Sequence, residues 1–166
     1  MNRQHRTEQE RDFIRMIREN ERIIYKVCSL YTSDDFPMED LYQETVLNLW
    51  KAFPRFRNES SYSTYVYRVA LNTCISGMRR DSRRGGQKAP LALAEELAFE
   101  PDSLEEDLRE MYSLIHRLKK LERSLILLWL EERPYQEIAE ITGLSLCNVA
   151  TKLKRIKEKL VKMSNQ

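Results

Sequence analysis

The sequence predicts an all-α protein: two small helical domains joined by a flexible linker. Three observations carry that reading. Glycine and proline are scarce, 4 and 5 of each, while 42 % apolar and 33 % charged residues make a mixture that favours helices. Apolar residues recur at three- and four-residue steps, and no alternating Val, Ile and Thr runs bounded by turn residues occur. Between residues 87 and 103 that pattern lapses into acidic filler with Pro90 and Pro101, which reads as a linker.

The elements follow in order. Phe13, Met16, Ile17, Ile24, Val27, Cys28 and Tyr31 predict one or two amphipathic helices over Glu8 to Tyr31. "TSDDFP" breaks the pattern, and Pro37 suits a first helical turn. The next helix runs from Met38 to Phe53 and ends at Pro54. "RFRNESS" is a polar loop, and a third helix covers Ser63 to Arg80, closed by "DSRRGG". After the linker, the capping-box pattern Ser103-Leu-Glu-Glu106 opens a helix to about Arg117. A further helix covers Glu122 to Glu131. Last comes "YQEIAEITGLSLCNVATKLKRIK", two short helices around Gly143. The expected boundaries are 1–86, 87–103 and 104–166.

Charge is unevenly placed along a chain whose net charge is only +2. Basic blocks at 79–88 and 145–163 flank an acidic one at 91–110, which suggests two anion-binding surfaces. The cysteines Cys28, Cys74 and Cys147 are odd in number and far apart, so neither a disulfide framework nor a zinc site is expected. The start of the chain is charged rather than signal-like, and the apolar run Leu125 to Leu130 is too short to span a membrane. A cytoplasmic location is the expectation. His5 and His116 stand alone, and His116 reads as an exposed helical residue. With no phosphate-cradling glycine loop either, we expect no catalytic site, no metal and no cofactor.

In the last segment Ala139, Gly143 and Val149 have helix-turn-helix spacing. Ser145 can cap the second helix, and Val149, Leu153, Ile156 and Leu160 form its core stripe. Opposite lie Cys147, Asn148, Thr151, Lys154 and Arg155. The functional reading is a major-groove helix with base readers Asn148, Thr151 and Arg155 and phosphate-binding lysines. The bland one is a helical hairpin with a solvated basic face.

On a wheel of 100° per residue, Leu41, Tyr42, Val46, Leu49, Ala52 and Phe53 share one side of the Met38–Phe53 helix. Asp40, Gln43, Glu44, Leu47 and Lys51 share the other, with Trp50 at its edge. Periodicity leaves a solvated face and a docking surface for a basic protein partner equally open. On the Ser63–Arg80 helix, Val66, Val69, Ala70, Thr73 and Gly77 form the inner side, and Tyr65, Arg68, Asn72 and Arg79 the outer. Arginines beside an aromatic suit single-stranded nucleic acid, and an ordinary exposed face is the alternative.

Two segments carry a family resemblance. "MEDLYQETVLNLWKAFPRFRNESSYSTYVYRVALNTCISGMRR" resembles region 2 of bacterial RNA polymerase sigma factors. "LKKLERSLILLWLEERPYQEIAEITGLSLCNVATKLKRIKEKL" resembles region 4. With these two regions alone, the chain resembles a compact sigma factor of the extracytoplasmic-function (ECF, group 4) type. The resemblance implies a transcription initiation factor that binds core polymerase, recognises −35/−10 promoters and helps to melt the −10 element, and is not an enzyme.

It also implies roles for residues. Asp40, Leu41, Gln43 and Glu44, with Leu47 and Trp50, would dock on the β′ clamp helices of the polymerase. Arg57, Asn58, Glu59, Ser60 and Ser61 match the loop that captures a flipped −10 base, a step costing a few kcal/mol or so in lost stacking. Tyr65, Arg68, Asn72, Arg79 and Arg80 fall where the melted strand is held. Tyrosine replaces a common tryptophan at Tyr65 but keeps a stacking face, and Leu71 stands where a basic residue is frequent. Asn148, Ala150, Thr151, Lys154 and Arg155 fall on the −35 helix, where Ala150 departs from a usual basic residue. The Glu122–Glu131 helix resembles the part that packs on the β flap, with Lys119-Lys120 in place of a proline-containing turn. The acidic linker resembles the segment that threads toward the RNA exit path. Its roughly 17 residues span about 55 Å if extended. An anti-sigma factor is a further implied partner, and membrane insertion is not expected. The competing readings are a stand-alone helix-turn-helix regulator, an enzyme fused to a DNA-binding module, and an adaptor that only binds polymerase.

Overall fold

The computed structural model describes residues 7–76 and 106–166. Arg79, Arg80, the "DSRRGG" segment, the expected linker and the Ser103 capping box lie outside the described residues. So do Gly77 and His5.

Helix α1, Glu8–Tyr31, is one continuous helix. Thr7 caps it, its hydroxyl accepting the Glu10 N–H at 3.2 Å, and Glu8 and Glu10 complement the positive end of the helix dipole. Its inner stripe, from Phe13 through Ile17 and Ile24 to Leu30, is sealed from solvent. The one buried amide on that stripe, Asn20, is satisfied by the Met16 carbonyl at 2.8 Å.

Helix α2, Met38–Ala52, begins after Pro37, which takes the cap position rather than the first turn. A 3₁₀ turn, Phe53–Arg55, then absorbs Pro54, which has no N–H to continue the α-ladder. Helix α3, Tyr62–Ser76, starts where the Ser61 hydroxyl accepts the Thr64 N–H at 3.2 Å.

Helix α4 spans Glu106–His116 and α5 spans Lys120–Leu130. Glu122 fixes the start of α5 by accepting the Lys119 N–H at 3.0 Å. The Lys119-Lys120 pair therefore makes a capped helix start. Helices α6, Tyr135–Thr142, and α7, Leu146–Ser164, form the helix-turn-helix. Gly143 turns between them at φ 77°, a region cheap only for glycine, and its N–H reaches the Ala139 carbonyl. Ser145 caps α7 by accepting the Asn148 N–H at 3.2 Å. Val149, Leu153 and Ile156 are buried as their spacing predicts.

Helix α3 lies between α1 and α2, and its edges meet α5 and α6. That position corrects one expectation. Tyr65, expected on the outer side, is 7 % exposed and donates its hydroxyl to the Leu49 carbonyl at 2.9 Å. Leu71 is buried as well, so the apolar residue there serves packing, in keeping with a missing basic contact at that position. A wheel assumes one buried face, whereas α3 has neighbours on several sides.

The two helical groups also touch each other. Tyr31 donates to the Lys120 carbonyl at 2.6 Å, and Lys26 pairs with Glu131 at 2.7 Å. The Arg123 guanidinium reaches three carbonyls, those of His116 at 2.7 Å, Leu118 at 2.9 Å and Leu30 of α1 at 3.0 Å. His116 sits half-buried beside Arg123 and bonds to the Ser29 main chain, so it is not the exposed helical residue expected. All three cysteines are free thiols, Cys28 and Cys74 buried and Cys147 exposed. No helix among the described residues is long and apolar enough to cross a membrane.

Candidate nucleic-acid and polymerase interfaces

The loop between α2 and α3 and the start of α3 enclose an open pocket of about 640 Å³. Ala52, Pro54, Arg55, Phe56, Arg57, Glu59, Tyr65 and Arg68 line it. Arg57, Glu59, Tyr65 and Arg68 were expected at such a site and are brought together. Arg55 and Phe56 were not, because they sit between a helix end and a loop where no periodicity marks them.

The aromatic character of this pocket is built in layers. Phe56 stacks on Tyr62 with centroids 5.0 Å apart and rings at 30°, and it tilts against Tyr65 at 4.8 Å. Burial pushes the Tyr65 phenol up to about 12, so it stays neutral. Tyr62 is 39 % exposed. Tyr65 lines the pocket beside the arginines, while the more exposed ring, Tyr62, stacks on the pocket residue Phe56. Ser61 as cap puts Tyr62 at the first helical position, and its side chain there is exposed. That cap was the signal available in the sequence.

The loop itself is shaped by Asn58, whose φ of 56° lies in the left-handed region that asparagine tolerates better than most residues. Arg57, Asn58 and Glu59 are exposed, Ser60 is half-buried, and Ser61 bonds to Ser63 and Thr64. Asn72 is exposed one further turn along α3.

On α2, Asp40 and Gln43 are exposed, and Glu44 and Leu47 are half-buried. Leu41 is 1 % exposed, which corrects its place among the docking residues: it fills the core beneath that face. Trp50 is half-buried and packs edge-on against Phe13 at 5.0 Å, which holds one of its faces inward.

On α7, Asn148, Ala150, Thr151, Lys154 and Arg155 are all exposed. The basic residues of this helix divide in two. Lys157 lies over the Trp129 ring at 4.7 Å and Lys159 pairs with Glu122 at 3.2 Å, both holding α7 to α5. Lys152, Lys154 and Arg155 face solvent. Leu121, Trp129 and Leu130 leave an apolar edge exposed on α5. No group of three His, Cys, Asp or Glu side chains among the described residues is placed to hold a metal ion.

Comparison with known proteins matches a family region to each half of the chain. Sigma-70 region 2 matches residues 16–84, and sigma-70 region 4 matches residues 108–160. The RNA polymerase sigma factor YlaC of Bacillus subtilis is 32 % identical over 130 residues, covering 75 % of this chain and 75 % of YlaC. The ECF RNA polymerase sigma-E factor of Haemophilus influenzae is 29 % identical over 150 residues, 80 % of this chain and 78 % of that one. The ECF sigma factor SigG of Mycobacterium tuberculosis is 40 % identical over 57 residues, so this chain spans only 15 % of the SigG length. Two solved structures share the fold. The sigma factor RpoE in complex with the anti-sigma factor NepR from Bartonella quintana superposes with a TM-score of 0.69 at 19 % identity, covering 93 % of this chain and 97 % of the other. CnrH in complex with the cytosolic domain of CnrY gives 0.65 at 20 %, covering 93 % and 88 %. Two family regions in the expected order, on an all-helical fold shared with solved sigma factors, place this chain in the ECF-type RNA polymerase sigma factors.

Proposed function

We propose that this chain binds core RNA polymerase, directs it to −35/−10 promoters and helps to open the −10 element. The observation that carries the reading is the pairing of two unlike nucleic-acid surfaces in one chain. One is the pocket of Arg55, Arg57, Tyr65 and Arg68, with the exposed Tyr62 ring stacked on its Phe56 and cations suited to an unstacked base and its phosphates. The other is the capped helix α7, whose Asn148, Thr151, Lys154 and Arg155 suit a duplex groove. Ala150, small and exposed between them, would let the helix approach the bases closely.

The polymerase would be held at two places. Asp40, Gln43, Glu44 and Leu47 offer an acidic and amide face with an apolar centre for the β′ clamp helices. Leu121, Trp129 and Leu130 offer an apolar edge for the β flap. Arg79 and Arg80, with Asn72, would extend the strand-holding surface. The chemistry belongs to the polymerase, and this chain supplies position. An anti-sigma factor is proposed as a further partner because both solved neighbours are complexes with another protein, one named as an anti-sigma factor. Its work would be done in the cytoplasm.

Run-off transcription with purified core enzyme tests the reading. Adding the chain should yield promoter-specific transcripts from genomic fragments that core enzyme alone ignores. No specific transcript, together with duplex binding that is equally tight without polymerase, would overturn it in favour of a stand-alone regulator.

A further inference from the structure

The two buried cysteines, distant in sequence, are neighbours in space. Cys28 stands on the last turn of α1 and Cys74 on the last turn of α3. Both are free thiols, 0 % and 6 % exposed. The Cys28 Sγ lies 3.7 Å from the hydroxyl of Thr45, a fully buried residue in the middle of α2. Cys74 reaches the same two groups, its thiol hydrogen-bonding with Cys28 and with Thr45. A three-way polar contact therefore sits inside the hydrophobic core where α1, α2 and α3 meet.

A single buried cysteine behaves as a small apolar side chain and is inert. A facing pair differs. The Cys74 thiol donates to the Cys28 sulfur, and that bond holds the Cys28 thiol below its usual range against the opposing effect of burial, with Thr45 adding to it. Cys74 is pushed up by the same bond, by burial and by the charge on Cys28. One sulfur is thus the readier nucleophile, and the other stands against it, ready to resolve the product.

We propose that Cys28 and Cys74 form a reversible oxidation site for hydrogen peroxide, closing to a disulfide that ties α1 to α3. The Cys28 sulfur attacks one peroxide oxygen. The O–O bond breaks, a sulfenic acid forms on Cys28, and one water leaves. The Cys74 sulfur then attacks the Cys28 sulfur, the S–O bond breaks, and a second water leaves. The two thiols give up two electrons and two protons, and the peroxide takes up both. A dithiol returns them. Both sulfurs are sealed from solvent, so the reaction waits on local opening of the helix ends and runs slower than at an exposed thiol. The ring closed by the bond contains the whole of α2 and the loop that lines the pocket. Oxidation therefore stiffens the helical group that carries those two surfaces and leaves α7 as it was.

The test uses the full chain carrying Cys147→Ser, which removes the exposed thiol. It is treated with hydrogen peroxide under native conditions, then denatured and alkylated. The intact mass should fall by two hydrogens, neither remaining cysteine should take the label, and peptide mapping should give a Cys28–Cys74 cross-link that dithiothreitol reverses. Full labelling after treatment, or a cross-link formed only when urea is present during oxidation, overturns the proposal. Single substitutions separate the roles. Dimedone should trap a sulfenic acid on Cys28 in Cys74→Ala, and about fivefold less on Cys74 in Cys28→Ala. Equal trapping overturns Cys28 as the attacking sulfur. The first measurement keeps both cysteines, so it decides the proposal even where an alanine variant fails to fold. Circular-dichroism melting of the oxidised chain should show a rise of about 5–10 °C over the reduced one. A bond that forms without any rise overturns the claim that the two helices are already aligned for it.

Discussion

Arg123 offers the sharpest test of how the fold is tied together. Its three carbonyl partners are all at or just past helix ends: Leu30 at the end of α1, His116 at the end of α4, and Leu118 just beyond. The last carbonyls of a helix have no partner in their own ladder. No basic residue occupies the last turn of α1, so Arg123 supplies, from 93 positions away, the cation that a helix C-terminus favours. Hydrogen bonds to a charged group contribute about 1.5–3 kcal/mol each. Three bonds from one guanidinium are not additive, so Arg123→Ala should cost about 3–4 kcal/mol. For a chain of this size that is a drop in melting temperature of about 10 °C. Urea unfolding followed by circular dichroism, with Arg123→Lys alongside, reads the effect. Lysine reaches one acceptor at a time and should recover less than half. A loss under about 1 kcal/mol for the alanine variant, below the range for even one such bond, would refute the assignment.

Four further expectations follow from single features. Asp40→Ala with Gln43→Ala should weaken polymerase binding on gel filtration while duplex binding by α7 is unchanged; equal polymerase binding would remove that docking face. Tyr62→Ala should reduce promoter opening in a permanganate footprint more than Tyr65→Phe does, since Tyr62 holds the exposed ring. Gly143→Ala should cost about 1–2 kcal/mol in chemical unfolding, a backbone cost alone because nothing lies within 4 Å of an added Cβ. His116 has its pKa lowered, first by burial and then by Arg123, against an opposing bond to the Ser29 main chain. The unfolded state then binds the proton more readily, so stability is full above pH 6.5 and falls as pH drops from there toward the folded value. His116→Gln should flatten that part of a stability-against-pH curve.

The helix-turn-helix was legible because its determinants are local: Gly143 at the turn, Ser145 at the cap, and a stripe from Val149 to Ile156. Helix α1 was legible end to end for the same reason. Tyr65 was not, because α3 is covered on more sides than one amphipathic face implies. Leu41 shows a different gap. The wheel put it inside, and only its place in the family motif put it on the docking face. The pocket residues Arg55 and Phe56, and Tyr62 stacked on Phe56, fall in a stretch where a 3₁₀ turn, a loop and a helix start meet without a common period. The contacts between the two helical groups join residues up to 105 positions apart, such as Lys26 and Glu131, and no local pattern encodes them.

The division of labour along α7 has a mechanical side. At 19 residues the helix is about 28 Å long. A rod of that length, tilted by about 5°, moves one end by roughly 2–3 Å relative to the other, about the length of a hydrogen bond. The contacts of Lys157 with Trp129 and of Lys159 with Glu122 clamp its rear half. The front half, from Asn148 to Arg155, is then a pointer on a fixed mount. Loosening that mount would blur which base each side chain faces while leaving its pull on phosphates nearly intact. Selectivity among promoters would fade before affinity for DNA did.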